Sequence, residues 1–232
     1  MKPEIIIAVN LGTEDEAKKF IRKVKDEVDY FKIDAGLFTK TGPSILKFIK
    51  DIGKKVFLDL KFHDIPSTVA RAVGSCIELG VDICTLHASG GFEMMEAAVK
   101  EKWICKKDYP LFLGVTVLTS LDTANIRDIF GTERTVEDQV LLLAQLCKSA
   151  GLNGVVASSR EASLIKKEID GEFVVATPGI RPLWASSDEH TRVYTPKKAK
   201  EEGVDFIIIG RPVILADDPI GAIRKIKEEI YG

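Results

Sequence analysis

The chain has 232 residues, 45% of them hydrophobic and 29% charged, with a formal net charge of −2. That length suits one large α/β domain or two small ones and is ample for a packed core. The near-neutral balance excludes a broadly basic surface for nucleic acid or membrane, so an anionic ligand has to be held by a local site. The longest apolar runs, such as FIIIG and FVVA, fall far short of the ~20 residues a bilayer-spanning helix needs. The opening MKPEIIIAVN runs straight into a strand-like segment, leaving no room for a signal peptide. Cys76, Cys84, Cys105 and Cys147 are widely spaced without a C-x-x-C pair. They read as free thiols in a reducing compartment, and a cytoplasmic location is expected.

In chain order, the first strand-like runs are IIIAVN (5–10), YFKID (30–34), VFLDL (56–60) and ICTLHA (83–88). LFLGVTVLT (111–119), GVVAS (154–158), FVVATPG (173–179) and FIIIG (206–210) follow. Helical spacing fills the gaps. DEAKKFIRKVKDEV aligns Ala17, Phe20, Ile21, Val24 and Val28 on one stripe. TVEDQVLLLAQLCKSAG opens on a threonine cap and closes at a glycine. Strands this rich in Val, Ile and Leu are covered on both faces, which implies a parallel sheet. Eight β-α units point to a single (β/α)8 TIM barrel over residues 1–232. An open doubly wound sheet would usually carry a Gly-rich turn after its first strand, and VNLGTEDEA has one glycine there.

In a barrel of this kind the strand C-terminal ends form the active-site face. Those ends carry Asn10, Lys32, Asp34, Asp59, Lys61, Asp64, His87, Thr119, Ser158, Thr177, Arg181 and Arg211. Taken singly, Asp34, His87 or Ser158 needs no more explanation than a strand meeting solvent. FLDLKFHDIP (57–66) does need one, because it sets Asp59, Lys61 and Asp64 against residues that want burial. Asp59 and Lys61 share a face in an extended strand, and Lys32 ends the neighbouring strand. The alternating signs offset one another. Such a cluster adds little stability, but it keeps a lysine charged and a carboxylate ionised in a dry pocket.

ATPGIRP (176–182) and IGRPVILADDP (209–219) follow the seventh and eighth strands, with glycines that let backbone N–H groups approach an anion. Arg181 and Arg211 add charged forks suited to phosphate. His63, His87 and His190 have no metal-ligand spacing, and a lysine-rich pocket repels cations, so no metal is expected. No serine or cysteine nucleophile sits beside a base. Acid/base or electrostatic catalysis is left.

DLKFHDIPSTVARAV (59–73) resembles the signature of the orotidine 5′-phosphate decarboxylase family, in its bacterial form. FKID, GVDICTLHASGGFEMMEAA (80–98), VTVLTS, TPGIRP and IGRPVILADDP extend the resemblance through nearly the whole chain. The D-x-K-x-x-D element alone is shared with sugar-phosphate relatives. The resemblance implies a dimer of barrels, without metal or organic cofactor, converting orotidine 5′-phosphate to UMP. It implies a Lys32–Asp59–Lys61–Asp64 network in which Asp64 reaches in from the other subunit. Lys61 is then the acid that protonates C6, Asp59 lies against the substrate carboxylate, and Lys32 orients Asp59 and touches the ribose. Asn10, Thr68, Thr119, Pro178, Arg181, His190, Gly210 and Arg211 are the implied substrate-binding positions, Thr119 at the pyrimidine and the two arginines at the phosphate. SLDTANIRDIFG and LWASSDEHTRVY are the implied covers.

Three positions depart from the family pattern. Asn10 stands where an aspartate is usual, His190 where a phosphate-binding glutamine is expected, and Asp34 where a glycine is common. Two alternatives stay open. One is a magnesium-dependent sugar-phosphate decarboxylase or aldolase, which normally has a glutamate in the place of Lys32. The other is a nucleotide-binding paralogue without turnover.

Overall fold

A computed structural model describes residues 2–185 and 194–232. Eight parallel strands close in sequence order into a barrel: β1 (Glu4–Ala8), β2 (Tyr30–Asp34), β3 (Lys55–Phe62), β4 (Ile83–His87), β5 (Leu111–Val115), β6 (Gly154–Val156), β7 (Val174–Thr177) and β8 (Phe206–Ile209). Around them run α1 (Glu14–Val24), α2 (Ala35–Thr41), α3 (Ser44–Asp51), α4 (Pro66–Glu78), α5 (Phe92–Ile104) and α6 (Thr123–Phe130). α7 (Val136–Ser149), α8 (Ser159–Glu168), α9 (Pro196–Glu201), α10 (Arg211–Ile214) and α11 (Pro219–Tyr231) complete the ring. The expected single (β/α)8 barrel is the fold observed.

Alternation along each strand divides the core in two. Outward-facing Ile5, Ile7, Phe31, Ile33, Val56 and Leu58 pack with the helices. Inward-facing Ile6, Tyr30, Phe57, Ile83, Leu113 and Phe206 plug the barrel. The Tyr30 and Phe206 rings meet edge to face at 5.4 Å. Gly154 is needed where β6 meets β7, since a Cβ there would lie 2.1 Å from the Val174 carbonyl oxygen.

Helix starts follow their caps. Thr13 and Glu16 form a reciprocal capping box on α1, as Thr135 and Asp138 do on α7. The α1 stripe buries Ala17, Ile21 and Val24, but the helix stops at Val24, and Val28 is buried beyond it. Several strands are shorter than their apolar runs suggest. β5 ends at Val115 because its partner β6 offers only Gly154–Val156. Thr116 makes a last bond to the Val156 carbonyl, and the chain then peels away toward Thr119. The four cysteines are unpaired. Among the described residues no helix is long and apolar enough to cross a membrane.

Candidate active site

The rows that plug the barrel turn polar one step further along. Tyr30 is followed two residues on by Lys32, Phe57 by Asp59 and Ile83 by Thr85. Lys32 and Asp59 are each only 8% exposed, and Thr85 is fully buried. Lys32 Nζ donates to Asp59 Oδ2 at 2.7 Å, and Lys61 Nζ lies 3.0 Å from the same oxygen. Thr85 Oγ1 donates to Asp59 Oδ1 at 3.0 Å and accepts the Lys61 backbone N–H at 2.9 Å. Burial alone would push the Asp59 carboxyl upward. The ammonium groups of Lys32 and Lys61, by charge and hydrogen bond, outweigh that and hold it below its ordinary 3.8.

Lys61 does not reach this position along a regular strand. The β3–β4 register breaks between Leu58 and Phe62, and Lys61 sits at φ 52°, in the left-handed region. Asp59 and Lys61 do converge, as expected from their spacing. A bulge brings them together, not simple alternation.

Lys32, Asp59, Lys61, Thr119 and Pro178 line one cavity of about 240 Å³, walled by Phe57, Val115, Val117, Val156 and Ile208. One end is therefore charged and the rest mostly apolar, which suits a small ligand with an apolar body and a charged substituent. Arg181 and Arg211 flank a second cleft of about 430 Å³ together with Trp184, Pro212 and Leu215. The Arg181 backbone N–H donates to the Tyr194 carbonyl at 2.9 Å, and its guanidinium donates to the Ile180 carbonyl at 3.1 Å. Gly210 caps the four-residue α10, with Arg211 exposed just after it.

Other expected site residues stand apart. Asp64 is exposed, and its Oδ1 accepts the neighbouring Ile65 N–H at 2.6 Å. Thr68 lies on α4, 3.4 Å from the Arg71 guanidinium. Asn10 is exposed just past β1. His190 lies outside the described residues, as does most of LWASSDEHTRVY. Asp34, where a glycine is usual, caps α2 by accepting the Leu37 N–H at 2.9 Å. Ser158 caps α8. His87 stacks on His63 with centroids 5.3 Å apart, and burial, then His63 and Lys61, depress its basicity. Thr85 was not singled out from the sequence. Its signal was its place two residues after Ile83 in an inward row, but threonine is common in strands.

A buried charged cluster where the strands end, above an apolar plug, marks the chain as a (β/α)8-barrel enzyme. The profile of the "Orotidine 5'-phosphate decarboxylase / HUMPS family" matches residues 3–226. The orotidine 5′-phosphate decarboxylase of Syntrophotalea carbinolica is 42% identical over 99% of this chain and 95% of its own. That of Carboxydothermus hydrogenoformans is 42% identical over 100% and 98%. A crystal structure of orotidine 5′-phosphate decarboxylase from Lactobacillus acidophilus superposes with a TM-score of 0.87 at 35% identity, covering 100% of both chains. The chain belongs to the orotidine 5′-phosphate decarboxylase / HUMPS family.

Proposed function

We propose that the protein is a carboxy-lyase that converts orotidine 5′-phosphate to UMP without a metal or organic cofactor. The observation that carries this reading is the buried Asp59 carboxylate clamped by two ammonium groups at the charged end of an apolar cavity. The bond from C6 to the carboxyl group breaks, carbon dioxide leaves, and the electron pair stays on C6. Lys61 stabilises that charge as it develops and then delivers its proton to C6. Asp59 lies against the substrate carboxylate, and Lys32 holds Asp59 in place while touching the ribose. Thr119 and Pro178 pack at the pyrimidine and Asn10 at the ribose. Arg181, Arg211, Gly210 and His190 take the phosphate, whose binding energy orders the site. Both Asp59 oxygens are already engaged, one by the two lysines and the other by Thr85, and the two ammonium groups oppose a cation beside them. That is the specific argument against the magnesium-dependent sugar-phosphate reading. The unpaired thiols suit work in the reducing cytoplasm.

Purified protein in the presence of a metal chelator should deplete the ultraviolet absorbance of orotidine 5′-phosphate. Activity seen only with magnesium and a keto-sugar phosphate would replace this reading. UMP binding with no turnover would reduce the protein to a nucleotide binder.

The working unit is a homodimer in which Asp64 completes the partner's site. In support, Asp64 is exposed with no cation of its own chain paired to it among the described residues, beside an Ile65 that is 64% exposed. Mixing Lys61→Ala and Asp64→Ala proteins, each inactive alone, then tests the sharing. Half the dimers become mixed, and each mixed dimer has one intact site of two, so about a quarter of wild-type activity should return. Failure to recover any activity after subunit exchange would show that Asp64 serves its own chain.

A further inference from the structure

We infer that Thr85 is a positioning residue: its hydroxyl ties the Asp59 carboxylate to the backbone of Lys61 and thereby sets where the Lys61 ammonium can reach. The inference rests on the decarboxylase reading and deepens it.

The β3–β4 ladder pairs Leu58 with Cys84 and then Phe62 with Leu86. Three residues of β3, Asp59, Leu60 and Lys61, therefore stand opposite the single residue Thr85. At this bulge the Lys61 N–H donates to the Thr85 hydroxyl. The hydroxyl's own proton goes to Asp59 Oδ1. One group thus serves as acceptor and donor at once, using the capacities a threonine has and a valine lacks.

Geometry makes this link consequential. Lys61 is not a glycine, yet it holds φ 52°, a conformation few side-chain-bearing residues adopt without support from their surroundings. The support comes from Thr85, which is fully buried and cannot be replaced by water without movement. Two atoms would be left unpaired if the hydroxyl were removed: the Lys61 N–H and one lone pair of a buried carboxylate. The first loss lets the left-handed turn relax and carries the ammonium away from the reacting carbon. The second raises the carboxyl's proton affinity.

Thr85→Val keeps the side chain's shape and removes only the hydroxyl. It should lower kcat about 100-fold, the scale on which an ångström of misplacement acts, and leave KM within about threefold because Thr85 does not line the cleft beside Arg181 and Arg211. The acid limb of the kcat profile should move to higher pH, since a carboxylate that has lost a donor protonates more easily. Thr85→Ser should retain activity within about threefold of wild type and the wild-type profile. A kcat for Thr85→Val within threefold of wild type, with the acid limb unmoved, would overturn the inference. If Thr85→Val does not fold, Thr85→Ala and Thr85→Ser carry the same comparison, loss in the first and retention in the second. Should the wild-type protein itself fail to turn over orotidine 5′-phosphate, the decarboxylase reading falls separately. The Asp59 carboxyl titration, followed by carbon-13 NMR in wild type and Thr85→Val, then decides the role of Thr85. Superimposable titrations would refute it.

Discussion

Replacing Lys61 with alanine is expected to lower kcat by at least about 10⁴-fold while the protein stays folded and still binds UMP. Two losses combine. Removing a fixed charge from a site of developing negative charge costs about 10²–10³-fold, and removing a positioned general acid costs about 10²–10⁴-fold. No second ammonium takes over, because Lys32 is buried and committed to Asp59 Oδ2 at 2.7 Å. Alanine is the informative choice. It tolerates φ 52° no better than lysine does, so the backbone penalty is shared by both proteins and only the side chain beyond Cβ, with its ammonium, is subtracted. Glycine would relax the turn and confound the comparison. The side chain is 36% exposed, so its loss opens little cavity. Single-turnover absorbance kinetics measure the rate, and calorimetry measures UMP affinity. Activity within tenfold of wild type would remove Lys61 from the chemistry.

The barrel was legible because most strands are short Val/Ile/Leu runs and α1, α2, α6, α7, α8 and α9 open on a Thr, Asp or Ser side-chain cap, signals that are local in the chain. Strand ends were less legible. A strand stops where its neighbour runs out of partners, as β5 does against the three residues of β6, and the partner's length is not written in the strand itself. Lys32 and Asp59 could be read because charge in an apolar run has no inexpensive structural explanation. Asp34 and Ser158 read correctly as ordinary strand-end polar residues and act as helix caps. The bulge at Lys61 could not be foreseen, for period-two alternation predicts the same convergence by a different path. Thr85 was hidden by its type. A threonine in a strand is unremarkable until its hydroxyl is seen facing a carboxylate. Among the described residues Asp64 and Thr68 form no hydrogen bond or ion pair with the Lys32–Asp59–Lys61 cluster, bonding Ile65 and Arg71 instead, so a single chain gives no sign of the roles expected of them.

Asp59→Asn should be damaging in two ways that can be measured apart. Asparagine preserves size and can still accept the Thr85 hydroxyl, but it leaves Lys32 buried without its counter-ion. Breaking a buried pair in this manner costs about 3–5 kcal/mol, or on the order of 10 °C in Tm for a chain of this size. Turnover should fall at least about 100-fold, since the Lys61 ammonium loses the charge that holds it at 3.0 Å. The pH dependence separates charge from shape. The Asp59 carboxyl is depressed below its ordinary 3.8 in the folded protein, so its contribution is fully present above that value. It is lost as pH falls through the lower folded value. A protonated aspartic acid is nearly an asparagine. The urea midpoints of wild type and Asp59→Asn should therefore differ by a constant amount from neutral pH down to about 3.8. Below that they should converge as the wild type becomes protonated. A gap that persists unchanged into strong acid would mean that side-chain shape, and not the carboxylate's charge, holds the cluster together.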